Sequence, residues 1–65
     1  MTPEEKRVHQ EISDLEEKYA KLWCFIKSDK YKELNDTQKS LLRIQLQLQD
    51  NYIAILKLRL KHWND

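Results

Sequence analysis

Apolar residues recur early in the chain at Val8, Ile12, Leu15, Tyr19, Leu22 and Ile26, in steps that alternate between four and three residues. That is the spacing of a coiled-coil seam on one face of an α-helix. The positions between them carry Lys6, Arg7, Glu11, Asp14, Glu17, Lys18 and Lys21, a solvated polar face. Thr2 can cap this helix, Pro3 suits its first position, and Glu5 completes a Thr-x-x-Glu capping box. Glu4 and Glu5 also place negative charge where the helix dipole favours it.

The periodicity breaks after Ile26 and Lys27. Ser28 to Asp36 is polar and contains Asp29, Asn35 and Asp36, residues that compete for local backbone hydrogen bonds. Asn35 followed by Gln38 reads as the next N-cap, and Tyr31 and Leu34 are expected to fold back over the open end of the structure. A second helix is then expected to about residue 63. The run Ile44-Gln45-Leu46-Gln47-Leu48-Gln49 alternates like a strand, with Asp50-Asn51 as a possible two-residue turn. The strand reading fails because the turn lacks glycine, because Leu, Gln, Lys and Arg favour helix, and because a lone two-stranded hairpin is marginal in water. The expected fold is all-α: an antiparallel two-helix hairpin with helix 1 at about 3–27 and helix 2 at about 36–63, each roughly 40 Å long.

Helix 2 has more apolar surface than one neighbour covers. Leu41, Leu42, Ile44, Leu46, Leu48, Tyr52, Ile53, Ile55, Leu56, Leu60 and Trp63 spread over more than half of its circumference. A helix facing one core shows a stripe of about 100° or a little more. The surplus predicts assembly into a helical-bundle homo-oligomer with helix 2 inside, its interface drawn from Leu41, Leu42, Leu46, Leu48, Ile53, Ile55, Leu56 and Leu60. A groove on another protein is the alternative recipient.

Composition narrows the function. At 65 residues and 8.0 kDa the chain makes one domain, 1–65. A core of that size rarely contributes more than about 3–5 kcal/mol, and it leaves little room for an enclosed substrate pocket. With 35% charged and 40% hydrophobic residues it is neither a disordered acidic tail nor a membrane span. A net charge of +1 is too balanced for general nucleic-acid binding, and no helix-turn-helix spacing is evident. The N-terminal Met1-Thr2-Pro3-Glu4-Glu5 lacks the basic start and apolar run of a signal peptide, and one cysteine fits a reducing cytosol.

Catalytic and metal chemistry find little support. There is no glycine for a phosphate loop or nucleophile elbow. Cys24 lies between Trp23 and Phe25, a setting that does not activate a thiol. His9 and His62 can approach in a hairpin, but Cys24 is roughly 22 Å from His9 by helical rise and no zinc-ligand spacing occurs. The expectation is a non-enzyme with no cofactor and no metal. Polar residues nevertheless interrupt the apolar face of helix 2. Gln45 and Gln49 are a turn apart, and Arg59 lies near the stripe of Tyr52, Leu56 and Trp63. Two readings stay open for them: residues that pair across a symmetry axis and set register, or a ligand site at a subunit boundary formed by Gln45, Gln49, Tyr52, Arg59 and Trp63. Lys57, Arg59, Lys61 and His62 around Leu60 and Trp63 likewise complement the helix dipole or grip an anion.

The segment from Glu11-Ile12-Ser13-Asp14-Leu15-Glu16-Glu17-Lys18-Tyr19-Ala20-Lys21-Leu22, with Phe25-Ile26, Tyr31 to Leu34, Gln38 to Leu42 and Leu46 to Leu60, resembles a family of small bacteriophage proteins related to a protein of crAss-like phages. Trp23-Cys24 and the run from Ile44 to Gln49 fall outside that pattern. The resemblance implies an accessory protein of a tailed phage, acting in the cytoplasm of a bacterial host by stoichiometric binding. Analogy with other small phage proteins favours counter-defence, and the polar insertion of Gln45, Gln49 and Arg59 beside Tyr52 and Trp63 favours a small anionic, nucleotide-like ligand sequestered at subunit interfaces. Blockade of a host protein, through Lys18, Lys21, Lys30 or Tyr31, is the alternative, and a structural coiled-coil adaptor is the next.

Overall fold

In a computed structural model, residues 1–64 are described. The chain forms α1 (Pro3–Ile26), a single-turn α2 (Asp29–Lys32) and α3 (Asp36–Lys61). α1 begins as its sequence dictates. The Glu5 amide donates to Thr2 Oγ1 at 3.1 Å and the Thr2 amide donates to Glu5 Oε1 at 3.2 Å, closing the capping box. α3 starts on Asn35, whose Oδ1 accepts from the Gln38 amide at 2.8 Å. Each cap satisfies a backbone donor that the first helical turn leaves without an intrahelical partner.

The connection differs from the expected polar loop. Ser28 uses its hydroxyl on the Phe25 carbonyl at 2.6 Å, which closes α1, and the chain then makes one further helical turn. Burial of Tyr31 drives that turn. Its ring is 6% exposed and meets Phe25 edge-on at 6.4 Å. Its hydroxyl accepts from Arg43 Nε at 2.9 Å and donates to the Lys39 carbonyl at 3.3 Å, so the buried phenol is satisfied on both sides. Tyr31 and the half-buried Leu34 thus close this end of the hairpin as expected. α3 ends at Lys61 rather than at 63, and His62 to Asn64 form a turn that returns Trp63 to the core.

α1 and α3 run antiparallel and share one seam. Val8, Ile12, Ile53 and Leu56 form its buried centre, flanked by Leu15, Tyr19, Leu60 and Trp63. The α3 side continues through Leu46 and the half-buried Leu42 and Gln49, again at alternating steps of four and three. The molecule measures 47 × 17 × 12 Å, the thickness of a layer one helix deep. Among the described residues no third layer covers the far side of α3. Leu41, Ile44, Leu48, Tyr52, Ile55 and Leu58 therefore stand between 44% and 61% exposed.

The expected interface residues consequently divide. Leu46, Ile53 and Leu56 are at most 9% exposed and belong to the core within one chain, with Leu42 and Leu60 half-buried beside them. Leu41, Leu48 and Ile55 remain on the surface, joined by Ile44 and Leu58. The reason is rotational: α1 covers one face of α3, and whatever lies about a third of a turn further round stays outside that contact.

Candidate functional site

A polar line runs beside the exposed apolar face of α3. Gln45, Tyr52 and Arg59 are separated by seven residues each, and a heptad step drifts only about 20° on an α-helix. All three are exposed. Tyr52 projects toward α1 and donates from its hydroxyl to Glu11 Oε1 at 2.5 Å, a contact that links residues 41 apart in sequence. This charge-assisted bond, with the nearby carboxylate charge, holds the Tyr52 phenol above its ordinary titration range. Arg59 pulls in the opposite direction, which places its guanidinium within electrostatic reach of the same phenol. The flank thus has an acid at one point, a hydroxyl beside it and a cation beyond.

Gln49 and Trp63 lie elsewhere. Gln49 is half-buried on the α1-facing seam, with its Oε1 buried and without a hydrogen-bond partner among the described residues. Trp63 packs against the Val8–Leu56 core. The five residues expected around one ligand therefore separate into an exposed set, Gln45, Tyr52 and Arg59, and an inward pair. The wheel places Gln49 and Trp63 near the polar line by angle. Only the docking of α1 shows that this sector faces the core.

A second feature had no clear signal in the sequence. On the opposite flank of the hairpin, His9, Ile12, Glu16, Lys57, Leu60 and Lys61 line an open depression of about 580 Å³. Lys57 Nζ lies 3.4 Å from Glu16 Oε2 across the two helices, with both side chains more than half exposed. Such a surface pair contributes about 0–1 kcal/mol and serves mainly to orient its partners. The basic residues near the end of α3 thereby split: Lys57 and Lys61 face this depression, while Arg59 belongs to the Tyr52 flank. Near the connection, Lys27 sits over the exposed Trp23 ring at 4.8 Å, and Cys24 is exposed beside it. Among the described residues no group of three or more His, Cys, Asp or Glu side chains is placed to hold a metal ion. No helix among them is long and apolar enough to cross a membrane.

Fold and surface define a small all-α hairpin in which α3 carries two apolar seams, one used by the chain itself and one open. Residues 2–62 match the family model described as Sequestin, and the chain belongs to that family. The match spans both long helices and the connection between them. Comparison with curated proteins and with solved structures gave no match.

Proposed function

We propose that this chain is a non-enzymatic binding protein that sequesters a small anionic, nucleotide-like ligand, with the site at a boundary between copies of the chain. The observation that carries the reading is the exposed line Gln45–Tyr52–Arg59 beside an apolar face that nothing in the single chain covers. Amides read hydrogen-bonding edges, a tyrosine ring offers a stacking surface, and a guanidinium binds phosphate or carboxylate in a fork. The family name, Sequestin, supports capture rather than turnover as the mode of action. Stoichiometric capture fits an accessory protein of a phage, working inside a bacterial cell against a defence signal.

Native mass spectrometry of protein purified gently from bacteria tests this directly. The expected result is an oligomer carrying extra mass of nucleotide size, which Arg59→Ala loses while the oligomer mass stays unchanged. Bare wild-type protein would refute sequestration. Loss of the oligomer in Arg59→Ala would make that residue structural. Blockade of a host protein is the second reading, favoured by the exposed Lys18, Lys21 and Lys30. Tyr31, expected to contribute to that surface, is buried and bonded within the fold. Capture of a host protein by the wild type, lost in a Lys18→Glu/Lys21→Glu variant, would favour it.

A further inference from the structure

The open seam of α3 reads the same in both directions, as the seam facing α1 also does, but it alone is left without a partner in the chain among the described residues. Leu41, Ile44, Leu48, Asn51, Ile55 and Leu58 follow one another at steps of three, four, three, four and three. Read backwards, the series is the same. Leu41 mirrors Leu58, Ile44 mirrors Ile55 and Leu48 mirrors Asn51, about a point between residues 49 and 50. A stripe that maps onto itself when reversed can face its own copy layer by layer about a two-fold axis perpendicular to the helix, the arrangement of an isologous contact.

We propose that a second copy of this chain covers the seam, with the two α3 helices antiparallel about that axis in a four-helix arrangement. This rests on the assembly invoked above for sequestration and supplies its geometry. Charge supports the antiparallel sense. α3 has Asp36 in its first turn and Arg59 and Lys61 in its last. Antiparallel packing sets each basic end beside the partner's acidic start and opposes the helix dipoles, whereas parallel packing stacks like ends. The area is also adequate. Leu41, Ile44, Leu48, Tyr52, Ile55 and Leu58 are each about half exposed. At about 100 Å² apiece the five seam residues give about 1,000 Å² over two copies, and Tyr52 on the flank raises this to about 1,200 Å², which reaches the range of stable specific interfaces. Asn51, opposite the partner's Leu48, puts a polar residue in the central layer, a device that sets register in helical assemblies.

The same register composes the site from two chains. Tyr52 comes level with the partner's residue 47 and Arg59 with its residue 40, so that on the same flank the partner's Gln45 and the partner's Gln38 each lie about 3 Å further along the axis. Each of two equivalent sites then takes a phenol and a guanidinium from one copy and two amides from the other. Glu11 occupies the tyrosine end, so the anionic part of a ligand belongs at the Arg59 end.

Disulfide trapping tests the register without any ligand. In a Cys24→Ser background, Ile44→Cys chains are mixed with Ile55→Cys chains and mildly oxidised. Residue 44 faces 55 of the partner but lies about 16 Å along the axis from the partner's 44, beyond disulfide reach. Mixed dimers in large excess over either homodimer are expected. Homodimers alone would establish parallel packing and overturn the proposal, as would the absence of any cross-link. Leu48→Glu, which faces solvent in the single chain, should give a monomer by analytical ultracentrifugation with its helical circular dichroism unchanged; a persisting dimer would place the contact elsewhere. A cross-linked dimer that retains no small molecule retires sequestration and leaves the interface standing. A monomer that retains one does the reverse.

Discussion

Leu56→Ala removes the one large side chain among the described residues that the fold excludes completely from solvent, at 0% exposure. The substitution deletes three buried carbons. Their transfer to water costs about 2.4 kcal/mol at about 0.8 kcal/mol each. The cavity left among Val8, Ile12 and Ile53 adds about 1–2 kcal/mol if those residues relax only in part. The expected loss is about 3–4 kcal/mol, comparable to the whole stability of a chain this small. Ile55→Ala, one position along and equally large, gives up far less burial in the single chain, because Ile55 is already 54% exposed. Its cost should stay below about 1 kcal/mol at high dilution and grow as protein concentration rises, since an association interface contributes by mass action. Urea unfolding followed by far-ultraviolet circular dichroism reads both, with trimethylamine N-oxide used to recover a native baseline for Leu56→Ala. The inside–outside assignment of α3 would be refuted by a Leu56→Ala cost below about 1 kcal/mol. Equal costs for the two variants at high dilution would refute it equally.

Gln49→Leu should stabilise the protein by about 1 kcal/mol, because it replaces a buried, unpartnered carbonyl in an otherwise apolar seam; a lower urea midpoint would instead assign that amide a bonding role. The Tyr52 phenol, held up first by its hydrogen bond to Glu11, should return toward the ordinary tyrosine value of about 10 in Glu11→Gln and rise further in Arg59→Ala. Because its folded pKa is raised, the contribution of this bond is fully present below about pH 10 and fades as pH climbs through the folded value. Nuclear magnetic resonance titration of the Tyr52 ring checks both signs, and an unchanged value in Glu11→Gln would break the argument.

Local chemistry accounts for everything that could be read without a third dimension. The capping box of Thr2 and Glu5, the Asn35 cap and the faultless seam from Val8 to Ile26 act between residues within a turn or two of each other. They determine where both long helices start and which face of α1 is apolar. The alternation from Ile44 to Gln49 did not make a strand, because helix-favouring side chains and the absence of glycine outweighed a short period-two run. Tyr31 was legible as the closing residue, although the helical turn that carries it follows from burying its ring and bonding its hydroxyl, which needed Phe25, Lys39 and Arg43 in place.

The rotation of α3 was decided only by tertiary packing. Both of its seams, Leu42–Leu46–Gln49–Ile53–Leu56–Leu60 and Leu41–Ile44–Leu48–Asn51–Ile55–Leu58, repeat at steps of three and four, and nothing within the helix ranks one above the other. Each has one polar residue near its middle, and the seam that carries Gln49, not the one that carries Asn51, faces α1. That choice comes with contacts between residues 41 apart, Tyr52 to Glu11 on one flank and Lys57 to Glu16 on the other, together with the docking of Trp63 on the core. A helical wheel fixes angles within one helix and is silent on the angle between two. Which leucines form the core and which remain open to a partner is a property of that second angle alone.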